Sequence, residues 1–236
     1  RFGYWKDTGI RLEGGAVRNF LAMFLQMWDY IVGGTSDYER LLQPLDPSEL
    51  PASKGYVQPY GDTPLDNENV GENVYLNMIT RARKYVYIYT PYLILDQEMI
   101  VALSNAAKSG VDVRIVTPGI PDKKMVFLLT RSHYAPLLEK GVRIYEYTPG
   151  FLHAKCFVCD DEYATVGSIN LDYRSLYLHF ECGVFLYQTP SVTQVHADME
   201  ETFAVSREIT LADCQRRHPF GMSMLHALLR LLAPLL

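Results

Sequence analysis

The sequence predicts an α/β layered domain built around a mixed sheet. Three observations predict it. Helical and strand-like segments alternate from residue 70 to residue 147, helix start and stop residues punctuate them, and short strands follow one another between residues 154 and 187. Strand–helix–strand–helix–strand order with short connections packs helices onto a sheet. With 236 residues, 48% of them hydrophobic and 21% charged, the chain has enough apolar material for a packed core, which excludes a disordered polar tail.

Each element has its own reason. Residues 16–32 set Val17, Phe20, Leu21, Phe24, Leu25 and Trp28 at helical spacing between two Gly-Gly pairs, predicting a core-facing helix. A polar stretch with Pro44, Pro47, Pro51, Pro59 and Pro64 follows; residues 44–69 read as a long surface loop with a short strand near Tyr56–Gln58. Residues 70–84 are helical in pattern, and 85–90 (YVYIYT) are rich in strand-forming aromatic and β-branched residues. Asp96 is placed to cap a helix running to Lys108, with Gly110 beyond its end. Strand 111–117 comes next, then a helix 122–140 capped by Asp122 and closed by Gly141, then strand 142–147. Short strands are expected at 154–159, 163–166 and 183–187, with two helical segments at the end. No internal repeat is visible.

The net charge of −5 offers no global basic field for nucleic acid, and four cysteines do not make a disulfide framework. No run approaches the ~20 apolar residues that span a bilayer. The segment 222–236 is interrupted by His226, Arg230 and Pro234 and is expected to pack on the core or on another part of the protein. The chain opens on Arg1 rather than Met, which suggests processing or a piece of something longer.

The chemistry is concentrated in residues 152–183. Residues two apart on a strand share a face, so His153 and Lys155 project together while Ala154 and Cys156 point the other way. A phosphodiester needs a nucleophile such as imidazole, and its anionic oxygens need cationic and N–H donors. Lys155 supplies the charge beside His153. Ser168 supplies a hydroxyl and a backbone N–H, Gly167 lets the backbone approach, and Asn170 supplies an amide. A carboxylate should hold the imidazole in one tautomer. Glu181 is the first candidate and Asp160 the second, although a turn position suits Asp160 better for a structural hydrogen bond. Nothing in this arrangement requires a metal or other cofactor.

His153-x-Lys155-x4-Asp160-x6-Gly167-Ser168-x-Asn170 resembles the HKD motif of the phospholipase D superfamily. The segments 2–7 (FGYWKD), 90–92 (TPY), 110–115 (GVDVRI), 141–146 (GVRIYE), 150–155 (GFLHAK) and 170–175 (NLDYRS) are similar to the C-terminal half of bacterial cardiolipin synthases, and the likeness runs the length of the chain. The resemblance implies a single phospholipase D-like α/β/α domain over 1–236. It implies a phosphatidyltransferase that joins two phosphatidylglycerols through a phosphatidyl-histidine and releases glycerol. Full-length members carry two HKD motifs preceded by membrane segments, whereas this chain has one motif and no such segment. It is therefore expected to be the C-terminal half, peripheral at a bacterial cell membrane. Its expected partners are phospholipid substrates and either the missing N-terminal half or a second copy; no nucleic acid is expected. The resemblance gives His153 the general-acid role first and the nucleophile role second.

Other residues carry weaker signals. Tyr92 follows a strand end, Lys123 opens a helix beside Lys124, and His179 lies two before Glu181; each is a possible headgroup contact weighed against local packing. His133, near Arg131, favours a partly buried structural role, and His196, His218 and His226 read as surface or packing residues. Cys156-x-x-Cys159 invites a redox or zinc reading, but residues three apart on a strand face opposite sides, which favours two structural thiols. The rival functions are a homodimeric phospholipase D-type hydrolase or nuclease, and a non-catalytic docking fragment.

Overall fold

The computed structural model describes residues 3–46, 48, 50 and 54–217; the expected segment 222–236, His218, His226, Pro47 and Pro51 lie outside the described residues. In chain order the elements are β1 (Tyr4–Lys6), α1 (Ala16–Val32), α2 (Tyr38–Leu41), β2 (Tyr56–Asp62), α3 (Val70–Arg81), β3 (Tyr85–Tyr89), α4 (Gln97–Lys108), β4 (Asp112–Pro118), α5 (Lys124–Ser132) and α6 (Tyr134–Leu138). They continue with β5 (Arg143–Tyr147), β6 (Gly150–Leu152), β7 (Cys156–Cys159), β8 (Tyr163–Gly167), a π-helical turn (Arg174–Leu178), β9 (Glu181–Tyr187), α7 (Pro190–Ala204), β10 (Ser206–Ile209) and α8 (Leu211–Arg217).

Eight strands form one sheet in the order β10-β5-β4-β3-β7-β8-β9-β2. Neighbours β3, β4 and β5 are parallel, and every other pairing in the sheet is antiparallel. The period-2 alternation of the strands sends side chains to two cores. Val86, Ile88, Val113, Ile115 and Phe157 meet Tyr75, Met78, Met99, Leu103 and Tyr134 from α3, α4 and α6. Tyr85, Tyr87, Tyr89, Cys156 and Val158 meet Val192, Met199 and Phe203 from α7. Burying each such side chain contributes about 1.5–3 kcal/mol. The result is the expected α/β/α sandwich on a mixed sheet.

The caps explain where elements start and stop. The Asp96 carboxylate accepts from the backbone N–H of Met99 at 2.7 Å, as the sequence predicts. The helix expected over 122–140 is instead two, α5 and α6, broken at His133. Pro136 has no N–H to donate to the carbonyl of residue 132, so a continuous helix loses a rung there. Asp122 does not cap it either: its carboxylate accepts from the N–H of Lys123 and, at 2.5 Å, from the Tyr92 hydroxyl. Within the 44–69 stretch the short strand expected near Tyr56–Gln58 is present but longer, the seven-residue edge strand β2, paired along its length with β9. Pro59 is tolerated there because β2 is the last strand of the sheet. Strand β10 was not anticipated.

Helix α1 is helical as predicted, but core-facing only in part. Leu25 is buried, whereas Phe24, Trp28, Tyr30 and Ile31 are exposed. The helix docks beside β2 through one narrow stripe, and its remaining apolar side chains reach solvent. The two C-x-x-C cysteines are free, buried and on opposite faces, and burial pushes both thiols up to about 12. That agrees with structural thiols.

Candidate active site

The sheet register decides which residues share an edge. Tyr89, the last residue of β3, pairs with Cys156, the first of β7; Cys156 pairs with Val166 near the end of β8; Gly167 pairs with Gly183 near the start of β9. His153, Lys155, Ser168 and Glu181 therefore all emerge at the carboxyl edge of the parallel strands, where ligands of open α/β sheets gather. The loop after β3, with Tyr92, and the loop after β4, with Lys123, open at the same edge.

A separate two-stranded sheet aims the imidazole. Strand β1 pairs in parallel with β6, Lys6 opposite Leu152, and the Lys6 carbonyl accepts from the N–H groups of His153 (2.7 Å) and Ala154 (3.2 Å). Gly150 permits this pairing, since a Cβ there would sit 1.8 Å from the Tyr4 carbonyl oxygen. Lys6 anchors the strand through a 2.7 Å ion pair with Asp198 of α7. The strand delivers Asp7 to the ring: its Oδ2 lies 3.1 Å from His153 Nδ1.

Lys155 Nζ is 2.9 Å from the same Nδ1 and also contacts the His153 carbonyl. One ring nitrogen cannot donate to Asp7 and accept from an ammonium at once, so the two contacts belong to alternative protonation states. With Nδ1 protonated, Asp7 is the acceptor and Lys155 holds the carbonyl. Either way Nε2 is the nitrogen left for a substrate. Lys155 itself is buried, 7% exposed, and burial lowers its pKa to about 8 against the opposing pull of Asp7 and Glu181. A buried ammonium with few fixed partners is poised to meet an anion.

Glu181 does not hold the imidazole, contrary to expectation. Its Oε2 accepts from the Ser168 hydroxyl at 2.5 Å, and its Oε1 stands 3.6 Å from His179 Nδ1. It acts on Lys155 through charge. Ser168 is committed too: its N–H donates to the Cys182 carbonyl at 2.9 Å, so that donor serves the β8–β9 ladder and is not free for phosphate. Gly167 allows the close approach of β9 rather than of a ligand, because a Cβ there would lie 2.5 Å from the Cys182 oxygen. Asn170 donates its amide to Ser175 Oγ at 2.9 Å.

Asp160 loses its second-choice role at the imidazole and keeps the structural hydrogen bonding that its turn position suits. It sits at the opposite end of the β7–β8 ribbon, at φ 56°, and its carboxylate accepts from the backbone N–H groups of Arg83 (2.7 Å), Lys84 (2.9 Å) and Tyr85 (2.9 Å). That carboxylate splices the α3–β3 connection to the ribbon's turn and is far along the sheet from His153.

Tyr92, Lys123 and His179 are brought together. With Asn170, Asp172 and Arg174 they line a cavity of about 110 Å³. Lys123 lies 5.7 Å from the centre of the Tyr92 ring. On the other side of Ser168 and Glu181, a groove of about 640 Å³ runs under α1 past Phe20, Phe24, Met27 and Phe180. A cavity of about 690 Å³ around Tyr56, Tyr163 and Tyr187 lies at the far edge, with Asp160 and away from the histidine. His133 is buried, and Arg131 pairs with Glu146 at 2.9 Å, so that region is structural. Sequence reasoning missed Asp7 and Asp172; both stand in segments whose family likeness was visible, but nothing local in the sequence reports a contact across 146 residues.

Residues 75–203 match the family described as cardiolipin synthase, PLD-like domain. The chain belongs to that family, within the phospholipase D superfamily. It is 41% identical over its whole length to a cardiolipin synthase of Geobacillus thermodenitrificans, covering 46% of that protein, and 40% identical to one of Alkalihalophilus pseudofirmus, again covering 46%. It is 51% identical to an uncharacterized protein of Streptococcus mutans, of which it covers 50%. The chain thus spans about half the length of the curated relatives it matches. The fold is shared with the phospholipase D family member Nuc from Salmonella typhimurium (TM-score 0.54, 18% identity, 66% of this chain and 99% of that one). It is also shared with the phosphatidylserine synthase of Haemophilus influenzae (TM-score 0.62, 18% identity, 76% and 47%).

Proposed function

We propose that this chain is the second catalytic half of a phosphatidyltransferase that makes cardiolipin from two phosphatidylglycerols. The observation that carries most weight is whole-length identity of about 40% to cardiolipin synthases, with the His153–Lys155 pair intact at the sheet edge. In the first step an imidazole nitrogen attacks phosphorus, the P–O bond to the headgroup glycerol breaks, and an acid on the opposite side protonates the departing oxygen. In the second, a hydroxyl of another phosphatidylglycerol attacks the phosphatidyl-histidine, its proton passes to the base, and the P–N bond breaks. In-line displacement puts attacker and leaving group on opposite sides, so two His-x-Lys sets must face each other. His153 supplies the acid as an imidazolium through Nε2, with its Nδ1–H donating to Asp7 and Lys155 holding the His153 carbonyl.

The facing set comes from the rest of the longer protein, or else from a second copy across a two-fold axis. The apolar groove under α1 suits a lipid chain beside the diester site. No described helix is long and apolar enough to cross a membrane, and this stretch works peripherally at the bacterial membrane surface.

The test joins this chain to the remainder of the protein and supplies phosphatidylglycerol vesicles. Cardiolipin and glycerol should appear in equal amounts, and His153→Ala should cut the rate about 10²–10⁴-fold, the span of a lost acid–base group. Nicking of plasmid DNA without cardiolipin formation would instead establish the nuclease alternative.

A further inference from the structure

The imidazole of His153 has an aromatic flank that the transfer steps above do not use. The Trp5 ring centroid lies 5.3 Å from that of the imidazole and 4.6 Å from that of Phe151, which itself stands 6.2 Å from the imidazole. The backbone fixes this group. Strands β1 and β6 pair in parallel with Trp5 opposite Phe151, and the Lys6 carbonyl receives the N–H of His153 at 2.7 Å. Phe151 is buried, so Trp5 rests against a core side chain, yet Trp5 is 44% exposed. The Nδ1 side of the imidazole is polar, with Asp7 at 3.1 Å and Lys155 at 2.9 Å. Trp5 therefore presents a large apolar surface to solvent beside the ring that carries the chemistry, in a fixed place.

We infer that Trp5 is a specificity-determining residue, whose exposed ring packs against the carbon skeleton of the acceptor lipid and so favours transfer over hydrolysis. The inference rests on the phosphatidyl-histidine reading above. Two acceptors compete for the phosphorus of that intermediate. A lipid hydroxyl attacks, the P–N bond breaks, and a diester forms. A water oxygen can attack the same phosphorus: the P–N bond breaks, the water's proton passes to the base, and phosphatidic acid and free imidazole result. The polar groups around the ring meet the O–H of either acceptor alike. What separates the two is carbon. An alcohol carried on a lipid brings apolar surface that covers an indole and gains hydrophobic free energy, which water cannot supply. Once covered, the ring also keeps water from the imidazole. The surface left open on Trp5 is thus part of the acceptor site, closed by the acceptor itself.

The test uses this chain joined to the remainder of the protein, with phosphatidylglycerol vesicles as substrate. Cardiolipin and phosphatidic acid are counted for the unaltered protein, Trp5→Phe and Trp5→Ala. The ratio of phosphatidic acid to cardiolipin should rise about tenfold in Trp5→Ala, the scale on which a hydrophobic contact discriminates, with Trp5→Phe in between. A residue that only positions His153 would slow both products together. An unchanged or lower ratio in Trp5→Ala, whatever the rate, therefore overturns the acceptor contact and leaves cardiolipin synthesis standing. Absence of cardiolipin from the unaltered protein overturns the phosphatidyltransferase reading and this inference with it. Should Trp5→Ala not fold, Trp5→Leu takes its place: a raised ratio supports the contact and an unchanged one overturns it.

Discussion

The two ends of the β7–β8 ribbon carry the same kinds of residue and put them to opposite uses. At the turn end, Asp160 accepts from three backbone N–H groups, and Asp161 accepts from the Tyr85 hydroxyl (2.8 Å) and pairs with His196 (2.7 Å). Burial works to raise the Asp161 pKa, yet hydrogen bonds from Tyr85 and His196 bring it below the ordinary value. At the open end, Lys155 is buried with its pKa depressed, His153 Nδ1 has two rivals for one position, and Asp172 keeps an oxygen without a donor. One end is saturated and stabilises the fold. The other keeps Lys155 buried without a full set of partners, a cost that a bound anion can relieve, and leaves on Asp172 an acceptor that only a donor could satisfy. Motif membership does not separate the two ends, but the hydrogen-bond inventory does.

The contrast can be broken from either side. The largest effect should come from Asp160→Ala, which strands three backbone donors and should cost about 2–3 kcal/mol of stability. That corresponds to a drop of roughly 4–12 °C in melting temperature for a chain of this size. Diester binding by the folded protein should be untouched; a loss of binding at unchanged stability would return Asp160 to the active site.

A smaller effect sharpens the open end. Lys155 releases its proton at about 8, whereas an unfolded lysine holds it to about 10.4. Affinity for dimethyl phosphate should therefore weaken above pH 8, by up to tenfold per unit. Stability runs the other way: between those two values the unfolded chain binds the extra proton, so this group makes the free chain more stable as pH rises through the window and contributes no slope below it. A titration in which both quantities move together would contradict a buried, depressed ammonium. The smallest expected effect belongs to His196→Ala, about 0.5–1 kcal/mol from a partly exposed pair, measured by denaturant unfolding.

Much of the sandwich was legible because its signals are local. YVYIYT can alternate between two apolar cores, and Asp96 with Gly110 marks a helix at both ends. The split of α5 from α6 was legible too, in Pro136, but the helical periodicity around it masked the lost donor. Strand β2 was legible only over Tyr56–Gln58, because Pro59 masks its continuation to Asp62, which an edge strand tolerates. The His153–Lys155 contact was expected from two-residue spacing on one strand, and it forms although both residues lie in the irregular stretch between β6 and β7. What did not follow was which carboxylate meets which base. Glu181 and Asp7 are equally plausible partners in one dimension, and only the parallel β1–β6 pairing brings Asp7 to the ring. Ser168 and Gly167 were rightly assigned to the edge, but their donors and their lack of a Cβ serve β9.

Strand β1 stands outside the eight-stranded sheet and meets the reaction centre through the Lys6 carbonyl, which receives the N–H groups of residues 153 and 154, through the Trp5 ring 5.3 Å from the imidazole, and through Asp7 just beyond its end. Proteolytic clipping after residue 7 would thus spare every layer of the sandwich and still let the imidazole drift. Such a nicked protein would melt normally and bind its anion through Lys155, yet lack a fixed ring to pass the proton. Folding and chemistry in this chain are separable at one peptide bond.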